Sequence, residues 1–397
     1  MTAARIVRVG ALATLLAVWL LAALLLWRTE VPGGLELPEL AAHDYVAVSE
    51  LDRRERHDRF LRIVGLTALA AQLAGLFVLA RRRLDGRGPA LVRAAELAAL
   101  AVLVAFLARL PFSLLILWWQ RRYDVARVGY AQWLLDRLPG LAERAGVLAF
   151  AAAALVALAR RLGGRWWVVG GPVLVAIGVA VVLVQPLLTP RVEPLERGAV
   201  VADIRAVAAE QGLGDVEVQV RKAASRTRQL NAEVLGIGPT TRVILWDTSL
   251  RLPRGVLRHL VAHELAHVSR AHLWKGLAWF VLLALPATFV LARLVPLADP
   301  RDVPRAVLVG TMLVLALTPL ANAVSRRYEA EADWVALESA REPRSATRLF
   351  AALSAAGARD LDPPAWYTSL FGTHPPALER IAMAVEFRSR EAARAGS

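Results

Sequence analysis

The chain of 397 residues has no cysteine, which excludes a disulfide framework and any thiolate metal site. A metal, if there is one, must be held by histidine and carboxylate. Lysine is almost missing: Lys222 and Lys275 are the only two, so the net charge of +14 is carried by arginine. Long polar stretches are also scarce in a chain that is 57% hydrophobic, and this excludes an ordinary soluble protein. The arginines cluster at the ends of apolar segments, a pattern that anionic lipid and membrane topology explain and nucleic-acid binding does not. There is no internal repeat. The Ala and Arg bias fits a GC-rich bacterial genome.

Seven apolar segments are long enough to cross a hydrocarbon core of about 30 Å as helices. They are Val9–Trp27, Ile63–Ala80, Ala94–Trp119, Ala145–Ala159, Trp166–Leu188, Leu277–Leu297 and Val303–Val324. Trp27, Trp118, Trp119, Trp166 and Trp167 sit near their ends, where interface anchors belong. The first segment is longer than the apolar stretch of a signal peptide and no small-residue cleavage site follows it, so it is expected to stay. With seven spans the two chain faces carry nearly equal numbers of arginine, and charge alone leaves the orientation open.

One long polar stretch, Thr189 to Lys275, interrupts the membrane text. It opens with Pro186, Pro190 and Pro194, followed by a predicted helix from Glu196 to Gln211. Val216–Val220 alternates as a strand, and Gln229–Leu235 and Arg242–Trp246 read as two strands joined by the Gly236–Thr240 turn. Pro253 is placed to open a helix at its first turn, running through His263 to about His272. The division is then an N-terminal membrane domain over 1–188, a catalytic segment over 189–275, two further spans within 276–324 and a polar C-terminal segment over 325–397.

His263 and His267 are four residues apart in His263-Glu264-Leu265-Ala266-His267, so on a helix they share a face. That spacing lets two imidazoles hold one zinc ion, with Glu264 between them as general base. A solvated, His-rich helix is the plain alternative, since His259, His263, His267 and His272 fall close together. An open catalytic site needs a third protein ligand, and Glu329 in Ser325-Arg326-Arg327-Tyr328-Glu329-Ala330-Glu331-Ala332-Asp333 is the best candidate. Glu329 and Asp333 again share a helical face, whereas Glu331 lies about 200° round from Glu329 and should face elsewhere.

These motifs resemble those of the type I CAAX prenyl proteases, integral-membrane zinc metallopeptidases related to the HtpX heat-shock proteases. The likeness runs from Pro186-Leu187-Leu188 and Pro194-Leu195-Glu196 through Leu230-Asn231-Ala232 with Gly236 and Gly238. It continues with Val243 to Thr248, His263 to His267, Ser325 to Asp333, Thr373-His374-Pro375-Pro376, and Glu379-Arg380. It implies that His263, His267 and Glu329 ligate zinc, one ion per chain, and that Glu264 is the general base. Asp333 corresponds to a second carboxylate described as a proton donor, although geometry equally allows it to orient a ligating histidine. Asn231 and Ala232 would sit on an edge strand that binds substrate backbone by strand addition. His374 and Arg380 would reach into the site and stabilise an oxyanion. A loop-capping role for His374 and a turn-proximal one for Asn231 remain the plain alternatives. Tyr328 and Trp366 read as packing. The likeness further implies an intramembrane chamber, which Gln72, Glu96, Arg109 and Gln120 are placed to line.

The expected protein is therefore an α-helical membrane protein of about seven transmembrane helices with a zincin-like α+β catalytic domain. Its expected function is hydrolysis of peptide bonds in membrane-associated or unfolded polypeptides. By the resemblance its catalytic face is cytoplasmic. An HtpX-like quality-control protease and a non-catalytic scaffold with a structural zinc are the competing readings, and the presence of Glu264 argues against the scaffold.

Overall fold

The structure is a computed structural model that describes residues 3–82, 84–188, 192–195, 198–236 and 240–395. Thr189, Pro190, Glu196 and Gly238, all singled out above, lie outside the described residues. The helices are α1 (Ala3–Trp27), α2 (Val48–Arg81), α3 (Ala90–Arg122), α4 (Tyr130–Leu135), α5 (Leu138–Leu162), α6 (Trp167–Leu188) and α7 (Ala199–Glu210). They continue with α8 (Arg254–Ser269), α9 (His272–Leu294), α10 (Val303–Ala340), α11 (Pro343–Gly357), α12 (Ala365–Phe371) and α13 (Ala377–Ala395). Among the described residues, 6 helical segments are long and apolar enough to cross a membrane. They contain α2, α3, α5, α6, α9 and α10. The first expected span falls on α1, whose Ala13–Trp27 part is a shorter apolar helix.

Three of the spanning helices outrun their apolar text. α2 begins at Val48, well before Ile63, and its polar first half docks on the C-terminal segment. There Asp58 accepts from Arg359 at 3.0 Å and from the Asp360 backbone N–H at 2.9 Å. α3 continues to Arg122. α10 runs unbroken to Ala340, where Arg341 adopts a left-handed conformation (φ 50°), and Pro343 then opens α11 in a new direction. This one rigid helix crosses the boundary expected at residue 324 and carries Glu329 and Asp333 out of the membrane layer. The α2–α3 and α9–α10 connections meet on the far face, where Arg301 bonds Asp85 at 3.2 Å.

The small sheet has the order β1-β2-β4-β3, formed by Glu193–Pro194, Glu217–Arg221, Arg242–Trp246 and Ala232–Leu235 respectively. β2 and β4 are parallel, and β3 is antiparallel to β4 with Ala232 opposite Leu245. β3 is thus an edge strand, shorter than the predicted Gln229–Leu235. Below the sheet, α7 buries Val201, Ile204, Val207 and Ala208, a spacing of one helical face, against Leu257 and Val261 of α8. Trp334 and Leu337 of α10, Phe350 of α11 and Ile381 of α13 close the same core. The long interior helix α8 is therefore held on several sides, and its side chains have few rotamers to choose from.

Within the helical layer Arg109 donates to Gln72 at 2.9 Å, and both line a cavity of ≈ 690 Å³. Glu96 does not join them: it pairs with Arg93 near the start of α3. Gln120 sits at the other end of that helix.

Candidate metal centre

Pro253 is the N-cap of α8 and not its first helical residue; its extended backbone (φ −53°, ψ 144°) launches the helix at Arg254. Hydrophobic residues Val256, Leu260, Val261 and Leu265 fasten α8 into the core, and His263 and His267 face α10. The three expected ligands do converge. His263 Nε2 lies 3.2 Å from His267 Nε2 and 3.3 Å from Glu329 Oε2, and His267 Nε2 lies 3.6 Å from Glu329 Oε1. Three donors bound to one tetrahedral ion at ~2.0–2.1 Å would stand about 3.3 Å apart, so this triangle has the size that such an ion requires. All three ligand atoms lie within 4.8 Å of one another. The donor set, two imidazoles and a carboxylate, also suits a divalent ion with one open position.

Each ring is held from behind. Asp333 Oδ1 lies 2.8 Å from His263 Nδ1, and Arg380 clamps Asp333 through both oxygens at 2.6 and 2.7 Å. Burial works against charge on His263, but the Asp333 carboxylate more than offsets it and raises the ring to about 10. A cation at Nε2 would take the place of the second proton. His267 is lowered to about 3, first by burial and then by its neighbour His263, and so stays neutral. Burial is also the main reason that Glu264 is pushed up to about 7; His263 opposes the shift and Glu329 adds to it. A carboxylate poised near neutrality, beside the ligand triangle, suits proton transfer.

His374 joins the site from the loop before α13: its Nε2 is 3.3 Å from Glu329 Oε2, while Thr373 Oγ1 holds its Nδ1 at 2.9 Å. Asn231 precedes β3. Its backbone carbonyl accepts from Trp246 N–H and Ser249 Oγ, which fixes the start of the edge strand. Ala232 is buried, and β3 packs along α8. His259, one turn before His263, belongs to the core, edge-on to Phe350 with its pKa lowered to about 3 by burial. Trp366 is half exposed and outside the site, whereas Tyr328 packs beside it.

Two residues were not assigned a role from sequence. The helix predicted to run to His272 stops at Ser269, because Ala271 is left-handed (φ 56°), and α9 then starts at His272. This turn places His272 Nδ1 2.9 Å from His267 Nδ1. Glu331 does face away from Glu329, as its angle on the helix requires, but toward His272, whose Nε2 is 2.9 Å from Glu331 Oε2. It is 1% exposed and not a solvated acid. Only the crowding of histidines hinted at this in the sequence.

A cavity of ≈ 730 Å³ leads from His267 and Glu329 down between α9 and α10, walled mainly by apolar side chains such as Trp279, Phe280, Leu283 and Leu317.

Residues 194–388 match the family described as peptidase family M48. Among curated proteins, the chain is 26% identical over 278 residues to the uncharacterized metalloprotease YhfN of Bacillus subtilis (strain 168). That alignment covers 65% of this chain and 65% of the relative, so just under two thirds of the relative's length is matched. Among solved structures, the fold matches the crystal structure of S. mikatae Ste24p with a TM-score of 0.73 at 15% identity. The match covers 93% of this chain and 96% of the other.

Proposed function

We propose that this multi-pass membrane protein, whose residues 194–388 match peptidase family M48, is a zinc-dependent endopeptidase cutting membrane-associated or unfolded polypeptides. The observation that carries the reading is the triangle of His263, His267 and Glu329 with Glu264 beside it. The naming of the Bacillus relative as a metalloprotease agrees with it. Zinc, when bound, would supply Lewis-acid polarisation of a peptide carbonyl and of water.

The chain's own groups do the rest. Glu264 takes a proton at its carboxylate as water attacks and returns it to the leaving amine. Asp333 holds the His263 ring, and Arg380 holds Asp333. His374 is placed to donate to a developing oxyanion. The free edge of β3, entered through Asn231 and Ala232, accepts an extended polypeptide as an added strand. Residues 189–275 and 325–397 form the catalytic unit, and 1–188 with 276–324 the membrane unit. We place the protein in a bacterial cell membrane with the catalytic unit in the cytoplasm.

Degradation of casein by the purified protein, with and without a chelator and with zinc restored, tests the proposal. Chelator-sensitive cleavage restored by zinc is expected; cleavage indifferent to chelator, or none by zinc-loaded protein, would overturn it.

A further inference from the structure

The His267 ring is oriented by a second histidine and a buried carboxylate that lie outside the ligand set. The contacts run in one line. His267 Nδ1 is 2.9 Å from His272 Nδ1, and His272 Nε2 is 2.9 Å from Glu331 Oε2. Glu331 is itself surrounded by donors, with the Glu30 backbone N–H at 3.0 Å on Oε1 and Lys275 Nζ at 3.3 Å from Oε2. The ring of Tyr328 stacks on His272 with centroids 4.8 Å apart and planes 11° apart. The Tyr328 hydroxyl in turn donates to the Leu26 carbonyl at 2.7 Å and receives Trp279 Nε1–H at 3.0 Å.

One proton arrangement along this line suits a ligand role for His267. Glu331, facing only donors, accepts from His272 Nε2–H. With Nε2 as its donor, His272 presents Nδ1 as the acceptor for His267 Nδ1–H. His267 is left with its lone pair on Nε2, the atom that faces His263 and Glu329. In the opposite tautomer His272 would donate to His267 Nδ1 and leave the His267 proton on Nε2, the atom that must face the ion. His263 is fixed in the same sense by Asp333 directly. The left-handed Ala271 is strained for a residue with a Cβ, and it folds α9 back so that His272 meets His267.

We infer that His272 and Glu331 are positioning residues that fix the tautomer and direction of His267 toward a metal. This inference rests on the reading of His263, His267 and Glu329 as the metal site. Outer partners of ligating histidines typically govern metal affinity by ~10–100-fold.

The test measures zinc affinity of the full-length protein in detergent by competition with a chromophoric chelator, for the wild type and for His272→Phe, His272→Asn and Glu331→Gln. Phenylalanine keeps the stack on Tyr328 and loses the acceptor; asparagine loses the stack and can present its amide oxygen near the Nδ1 position. The relay predicts a loss of ~10–100-fold in His272→Phe, a smaller loss in His272→Asn, and a measurable loss in Glu331→Gln. The reverse order, with Phe like wild type and Asn weak, would reduce His272 to a packing residue and overturn the inference. Unchanged affinity in both Phe and Gln variants would overturn it too. Failure of the wild type to bind zinc would instead sink the metal site itself, a separate and distinguishable result.

Discussion

Arg380 grips both oxygens of Asp333, at 2.6 and 2.7 Å, while the same carboxylate faces His263 Nδ1 at 2.8 Å. Asp333 is 1% exposed, and the Arg380 side chain is 11% exposed. A carboxylate so engaged is an acceptor on both oxygens, which suits it to orienting an imidazole better than to giving up a proton. Removing one member of a buried pair leaves an uncompensated charge and costs about 3–5 kcal/mol, whereas removing both costs less. Arg380→Met should therefore lower the thermal midpoint sharply, and the double variant Asp333→Asn with Arg380→Met should recover part of that loss without recovering activity. If Arg380→Met leaves the midpoint intact and abolishes turnover, Arg380 acts on the substrate and not on Asp333.

Among the described residues, Glu264 lies outside the group of His263, His267 and Glu329 that could hold an ion. Glu264→Gln keeps the shape of the side chain and removes the base. Zinc should remain stoichiometric while turnover falls by ~10²–10⁴-fold. Metal analysis and peptide cleavage on the same preparation check this, and near-normal turnover would remove Glu264 from the mechanism.

The same residue sets the acid side of the pH profile. Burial raises it to about 7, and a cation bound at the neighbouring ligands would pull it down again. The base works deprotonated, so kcat/KM should be full above its pKa and fall as pH drops through it, with the limb below about 7. In Glu264→Asp the shorter carboxylate should shift this limb while leaving zinc bound. A limb that coincides with zinc release, followed in parallel, would instead report protonation of the ligand histidines.

Much of the site was legible because it depends on short-range periodicity. Residues at i and i+4 on one helix share a face whatever the fold around them, so His263 with His267, and Glu329 with Asp333, could be paired on sight. The Arg242–Trp246 strand was equally plain, being an apolar run between turn residues. What escaped depends on the joining of elements. His272 lies five residues beyond His267, off its face on any continuous helix, and reaches it only because Ala271 is left-handed. Nothing in an alanine announces that conformation. For Glu331 the periodicity gave only a face turned away from Glu329, since its partners Glu30, His272 and Lys275 come from distant parts of the chain. The polar first half of α2 escaped for a related reason: Asp58 is buried by Arg359 and Asp360, about three hundred positions away in sequence.

Asn231 offers a test of how substrate is held. Its backbone is tied to Ser249 and Trp246, so the strand start survives loss of the side chain. Asn231→Ala should raise KM several-fold with zinc content and thermal midpoint unchanged, because the contact is to substrate and not to the ion. A parallel loss of zinc would make the residue part of the scaffold.

The last prediction concerns orientation in the membrane, and the structure defines two faces against which to test it. The catalytic face holds the C-terminal end of α1, where Tyr328 donates to the Leu26 carbonyl and Arg327 donates to that of Trp27. It also holds the first half of α2, through Asp58 and Arg359, and the α3–α4 connection, through the Ala126–Thr227 bridge. The opposite face holds the loop after α2 and the start of α10, joined by Asp85 and Arg301. Any single orientation therefore puts Asp85 and Lys222 on opposite sides of the bilayer. If the catalytic unit is cytoplasmic, a phosphatase reporter that is active only outside the cytoplasm should be active when fused at Gly86 and silent when fused after Lys222. The reversed signals would turn the protein over without disturbing its fold. Equal signals at both positions would mean that α3, α5 and α6 do not together carry the chain across, and the arrangement of spans would have to be redrawn.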